Sequence, residues 1–188
     1  LEKYRGLLSE CVAIVPGTHS KHVLIAGGEI VSIETFMTGE LLDLLGRHSI
    51  LHATADLKTV FDQKFKMITE SQNDAFKSGV ATVSQSGLLG NLFQARTRGV
   101  LQNASNTDTI WFLMGLLIGE EWCQLIKRRA SNLPILVAAG SRFGELYSKA
   151  AEILGVEQRV SRVLAEDMDL ASSLGHRLLL PSHANLPV

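Results

Sequence analysis

From Ile110 to Gly119 every residue is apolar, and the run sits inside a longer segment with clear helix ends. Asn106-Thr107-Asp108 is a start signal, and Lys127, Arg128 and Arg129 place positive charge where a helix terminates. Between them apolar residues fall on nearly every face. A helix of that kind cannot lie on a surface, so it must run through a core with other elements packed around it. The run stops at Glu120 and Glu121, well short of the roughly 20 apolar residues that a membrane span takes. It therefore predicts a core helix and no membrane association. A chain of 188 residues, 46% hydrophobic and 20% charged, has enough material for one such core but is short for two independent domains, so residues 1–188 are expected to form a single domain. Eighteen Lys and Arg against nineteen Asp and Glu leave a formal charge of -1. No global positive field draws the chain to nucleic acid or anionic lipid. Cys11 and Cys123 lie in apolar stretches and match no CxxC pattern, which predicts two buried thiols and fits a reducing cytoplasm.

Before the core helix the sequence reads as a meander. Cys11 to Val15 is an apolar run ending at Pro16-Gly17, His22 to Ala26 is a second, and Gly27-Gly28 is a hairpin signal. Val31, Ile33, Thr35 and Met37 then alternate with more polar positions. Three antiparallel strands are expected. Thr38 is placed as a helix N-cap, with Glu40 in the positive first turn and a leucine stripe ending near Gly46. His52 to Gln72 has only weak helical character. Helices are predicted over Gln72 to Val80 and, after the Ser84-Gln85-Ser86-Gly87 breaker, from about Leu88 to Arg98. Beyond the core helix come a strand at Pro134 to Ala138, a helix from Gly140-Ser141 to about Leu154, a strand near Arg159 to Leu164, and a helix from Glu166. That alternation implies parallel strands with crossover helices, and hence an α/β fold.

Three local constellations suggest chemistry. In Val15-Pro16-Gly17-Thr18-His19-Ser20-Lys21 a Pro-Gly turn offers backbone N–H groups, hydroxyls and the Lys21 charge, the ingredients of an anion nest. An ordinary solvated hairpin has the same composition, and no Walker motif is present. Leu136 to Ser141 is a strand running into Gly140-Ser141 and a helix. Ligands of open α/β sheets bind there, though Ser141 also suits a plain N-cap. Thr38, Gly39 and Glu40 follow a strand end, where a hydroxyl and a carboxylate can hold a polar substrate or simply cap the helix. The histidine pairs His19/His22 and His48/His52 lack the glutamate of an HExxH motif, so no metal site is expected. No nucleophile elbow appears. Arg96 and Arg98 read as residues on different sides of a solvated helix.

Taken together, the segments VPGTHSKHV (Val15 to Val23), TFMTGELLDLLGRHSIL (Thr35 to Leu51), MGLLIGEE (Met114 to Glu121) and VAAGSRFGELY (Val137 to Tyr147) resemble, in order and spacing, the 2-dehydro-3-deoxygalactonokinase family. The resemblance implies the RNase H-like fold of the hexokinase, actin and Hsp70 superfamily, in which ATP binds between two similar lobes. This chain resembles the second, C-terminal lobe. Gly17, Thr18, His19 and Lys21 match the family's second phosphate loop, Gly140 and Ser141 match the loop beside the nucleotide, and Thr38, Gly39 and Glu40 become substrate candidates. ATP with Mg²⁺ is the implied cofactor, and 2-dehydro-3-deoxygalactonate the implied substrate in sugar-acid catabolism.

The family's opening Asp-x-Gly-Ser/Thr hairpin and its acidic stretch ahead of the second phosphate loop have no counterpart here. With Leu1 as first residue, the expectation is a lobe that lacks the N-terminal lobe and the catalytic base, inactive as a separate chain. Two alternatives stand beside it. One is a non-enzymatic sugar-acid or nucleotide-binding module derived from a kinase. The other is a structural partner whose cleft wall is covered by another chain or by self-association.

Overall fold

The computed structural model describes residues 2–55, 57, 69–128 and 132–179. The meander forms as the turn chemistry requires: β1 (Glu10–Val15), β2 (Ser20–Ala26) and β3 (Glu29–Phe36) pair antiparallel, with Val15 opposite Lys21 and Ser20 opposite Phe36. Gly27 and Gly28 both have positive φ, 62° and 78°, which a two-residue hairpin turn demands and which glycine adopts without penalty. β3 ends at Phe36, and Met37 turns out of the strand with φ -84° and ψ 31°. The parallel half also forms. β4 (Ile135–Val137) pairs with β1, and β5 (Val160–Arg162) with β4, giving the sheet order β3-β2-β1-β4-β5.

Six α-helices are described: α1 (Thr38–His48), α2 (Glu70–Ser86), α3 (Gln94–Leu101), α4 (Asn106–Arg128), α5 (Ser141–Ile153) and α6 (Ala165–Leu179). α2 is longer than the sequence reading at both ends. Thr69 and Gln72 form a reciprocal capping box at its start. At its end Ser84 and Ser86 donate to the carbonyls of Ala81 and Thr82, so these serines stay helical until Gly87, with φ 77°, ends the turn. α3 starts later than expected because Asn91 donates to the Gly87 carbonyl and Ser86 Oγ, holding residues 88–93 in turns. Of the weakly helical stretch from His52 to Gln72, Ile50–Ala53 is a 3-10 turn that reaches its first residues and Glu70 opens α2; residues 56 and 58–68 lie outside the described set. Arg98 is partly buried, with its guanidinium 4.5 Å from the centre of the Phe112 ring, rather than solvated.

β-strand alternation splits the core into two faces. Val12, Ile14, Ile135 and Val137 point toward the helices α1, α2, α4 and α5, where the main cluster lies. Cys11, Ala13 and Leu136 point the other way, against Tyr4 and Val163. Both cysteines are free and buried. α4 is long and apolar enough to cross a membrane, but 83% of its most apolar window is buried inside the domain. Its closest neighbour is α2. A Cβ on Gly79 or Gly115 would run into the backbone carbonyl of Phe112 or Phe76, and one on Gly119 would stand 2.6 Å from Val83 Cγ1. Glycine is therefore the condition for this approach, and Phe76 and Trp111 seal it edge to face with ring centres 6.5 Å apart.

Candidate functional site

Because β1 and β4 run parallel, with Ile14 beside Val137, their C-terminal ends lie side by side. The end of β3 pairs with the start of β2 at the same edge. Three segments that are far apart in sequence therefore meet: the 16–19 turn, the start of α1 and the start of α5. α1 is docked directly onto the turn. A Cβ on Gly39 would lie 2.7 Å from both Gly17 O and Thr18 Cα, and the Glu40 N–H donates to the Thr18 carbonyl at 3.0 Å. At the exposed rim His19 Nε2 lies 2.6 Å from Glu40 Oε2. Lys21 Nζ donates to the His19 carbonyl, also at 2.6 Å, bracing the turn from the strand's other face.

Beneath the turn is a small cavity lined by Pro16, Gly17, Thr38, Gly39, Leu42, Met114, Leu117, Ile118, Phe143 and Tyr147. It joins the turn, α1, α4 and α5. Gly17, Thr38 and Gly39 were all expected at a site, and they share this wall. Gly140 is the N-cap of α5 and makes no side-chain cap; Phe143 and Tyr147, further along that helix, are the residues that reach the cavity. The first N–H groups of a helix have no intrahelical partner, and the positive end of its dipole lies there. Ser141 is thus the first residue of α5 and not its cap. Thr38 likewise does not cap α1, where Met37 holds the cap position without a side-chain bond. Its hydroxyl points inward.

That hydroxyl goes to Glu121, the residue sequence reasoning missed. Glu121 is 2% exposed, and each carboxylate oxygen accepts two hydrogen bonds. Oε1 accepts from Ser20 Oγ at 2.6 Å and faces His22 Nε2 at 2.8 Å; Oε2 accepts from Thr38 Oγ1 at 2.6 Å and from the Tyr147 hydroxyl at 2.8 Å. Burial by itself would raise this carboxyl. The His22 hydrogen bond and charge, with the Ser20 and Thr38 hydroxyls, outweigh it and hold the group below its ordinary value of 4.5. Tyr147 is pushed well above its ordinary 10.0, first by burial and then by the charge on Glu121. A phenol in that state is a permanent donor. His22 stacks against Phe36 with ring centres 4.5 Å apart, and its Nδ1 is buried without a hydrogen-bond partner among the described residues. A signal for Glu121 did exist in the sequence. Met114, Leu117 and Ile118 form the stripe of α4 that faces the cavity, and position 121 continues it at helical spacing, so an acid stands where an apolar residue belongs.

Among the described residues no group of three or more His, Cys, Asp or Glu side chains is arranged to hold a metal ion. The site offers a turn with backbone donors, the starts of two helices, an exposed histidine–glutamate pair and an apolar floor. Such a set suits an anionic group carried on a less polar body.

Residues 5–172 match the sequence profile of 2-keto-3-deoxy-galactonokinase. The chain is 32% identical over 148 residues to a protein of Rhizobium meliloti (strain 1021) assigned as a 2-dehydro-3-deoxygalactonokinase, covering 77% of this chain and 45% of that one. It is 30% identical over 182 residues to the 2-dehydro-3-deoxygalactonokinase of Escherichia coli (strain K12), covering 96% and 57%. A crystal structure of a Sinorhizobium meliloti protein assigned to the same activity superposes with a TM-score of 0.72 at 28% identity, over 96% of this chain and 60% of that one. The chain thus spans about half the length of the curated relatives it matches, and the match runs through the turn, α1, α4 and the start of α5: it belongs to the 2-keto-3-deoxy-galactonokinase family.

Proposed function

We propose that the chain is one lobe of an ATP-dependent kinase that transfers a phosphoryl group to a hydroxyl of 2-dehydro-3-deoxygalactonate. The observation that carries this is the meeting of the 16–19 turn, the start of α1 and α5 at the strand ends, where Pro16, Gly17, Thr38, Gly39, Phe143 and Tyr147 line one cavity. Phosphoryl transfer needs positioning and neutralisation of charge more than covalent chemistry, and these segments supply both. In this reading Gly17, Thr18, His19 and Lys21 serve the phosphates, with Gly140 and Ser141 beside the nucleotide. Nothing stands within 4 Å of a Cβ built on Gly17 or Gly140, so a ligand can approach the backbone there. Thr38 and Gly39 form the wall toward the sugar acid. Glu40 acts through His19, holding its ring at the rim.

The sheet order β3-β2-β1-β4-β5, with a meander followed by two parallel strands, supports the RNase H-like lobe of two-lobed kinases. ATP is expected as its Mg²⁺ complex. Its ligands are ascribed to ATP and to the N-terminal lobe that the family resemblance implies. The general base is assigned there too. Two free, buried cysteines fit a cytoplasmic setting.

The test measures ADP release with and without 2-dehydro-3-deoxygalactonate. The 188-residue chain alone is expected to bind ATP weakly and to turn nothing over; joined to the half that its longer relatives carry, it should release ADP only with the sugar acid present. Tight ligand binding by the joined protein without turnover would favour the non-enzymatic module instead.

A further inference from the structure

The next inference rests on the kinase-lobe reading and concerns the residue that sits behind its cleft. Glu121 lines no part of the cavity, yet two of its donors do: Thr38 and Tyr147 face the cavity and spend their hydroxyls on the carboxylate behind it. A third donor, Ser20, is the first residue of β2 after the phosphate turn. A fourth contact, His22, lies two residues further along the same strand face. The start of α1 is in turn pressed against Gly17 and Thr18 through Gly39. Each wall of the cavity is therefore tied to one buried carboxylate.

We propose that Glu121 is a positioning residue for ligand binding, fixing the phosphate turn, the start of α1 and the face of α5 in the register that ATP requires. The charge matters as well as the shape. A carboxylate has only acceptor lone pairs, so three hydroxyls and an imidazole N–H all point inward and every rotor is set. Glutamine fills the same volume but presents an NH₂ group to one pair of partners. The hydroxyls there must then turn around and accept, and their own protons seek new acceptors in a buried site. The walls would shift while the core stays packed.

The experiment compares the 188-residue chain with its Glu121→Gln variant by residue-resolved amide hydrogen exchange and by titration with ATP, both well below either melting temperature. The expected result is exchange at least tenfold faster at residues 17–22 and 38–41, unchanged exchange in β4 and in the α2 segment around Gly79, and an ATP dissociation constant raised about tenfold or more. A purely structural role predicts something else: exchange faster everywhere in proportion to lost stability, with the affinity of the folded fraction unchanged. That result, or a variant indistinguishable from the parent in both measurements, would overturn the proposal. Should Glu121→Gln fail to fold, Thr38→Val and Tyr147→Phe each remove one donor and leave the carboxylate in place; each should loosen the same segments and weaken ATP binding by a smaller factor, and failure of both to do so also overturns it. A parent chain that binds no ATP counts against the kinase-lobe reading, while the exchange map still decides the role of Glu121.

Discussion

Glu121 and Asp167 both gather donors, on opposite faces of the same sheet. Glu121 sits on the helix-packed face with Ser20, His22, Thr38 and Tyr147. Asp167 sits on the thinner face, where its Oδ2 accepts from the Tyr4 hydroxyl at 2.8 Å and pairs with Lys3 at 2.6 Å. Tyr4 also accepts the Leu164 N–H, so this second cluster fastens the N-terminal segment to the start of α6. The two acids differ in what balances them. Asp167 is itself only 9% exposed, but its lysine partner is half-exposed, so one side of the cluster opens to solvent. Glu121 has no water-facing side, so its four partners are its whole solvation. The same chemistry serves as a clasp that opens to solvent through Lys3 and as a keystone closed on every side, and the cost of breaking it follows from how many partners are buried.

The largest expected effect breaks that contrast at its buried end. Glu121→Ala leaves three hydroxyls and His22 without their acceptor, and urea unfolding should show a loss of about 3–5 kcal/mol, the range for stripping one partner from a buried ionic cluster. Tyr147→Phe keeps the carboxylate and removes one charge-assisted hydrogen bond, for an expected loss of about 2 kcal/mol in the same assay. Gly115→Ala tests the packing beside the hub rather than the hub itself. Its methyl would meet the Phe76 carbonyl, and about 1–3 kcal/mol is expected from the overpacking, read as a lowered Tm. Asp167→Asn should have the smallest effect, a shift in unfolding midpoint well below that of Tyr147→Phe. If it matched Glu121→Ala, burial would not be the deciding variable.

Acid sharpens the same comparison. With its folded carboxyl below the ordinary 4.5, Glu121 contributes stability that is present above that pH and is lost as pH falls through the folded value. Glu121→Gln removes the group that titrates, so its stability profile should be flatter than the parent's below about pH 4.5. At the alkaline end Tyr147, raised above 10.0, contributes stability that is complete below pH 10 and fades as pH climbs toward its folded value. Tyr147→Phe should remove that alkaline decline. Acid and base unfolding of these two variants, followed by circular dichroism, check both signs.

Much of the frame was legible because its causes are local. Pro16-Gly17 and Gly27-Gly28 mark the ends of strands wherever they occur, and the ten-residue apolar run of α4 admits no exposed placement. The cavity wall formed by Gly17, Thr38 and Gly39 was accessible for the same reason, since each residue lies at a strand end. Glu121 was not, because three of its donors stand 101, 99 and 83 residues earlier in the chain and the fourth, Tyr147, 26 residues later. Only the fold brings them together. Thr38 shows how a local rule misleads: its position is a cap position by sequence, yet a buried carboxylate competes for its hydroxyl and wins. The helix of residues 94–101 was misplaced at its start for a similar reason, a side-chain bond from Asn91 that no spacing rule encodes.

In the proposed kinase lobe, the turn after β1 and the start of α5 are two halves of one nucleotide site. The most direct measurement is a ¹⁵N–¹H correlation spectrum of the chain titrated with ATP. The amides of Gly17, Thr18, His19, Gly140 and Ser141 should shift together along one binding curve, while those of β5 and the Gly27-Gly28 turn stay in place. Saturating ATP that moves none of these five amides, or moves only residues elsewhere on the surface, would contradict it.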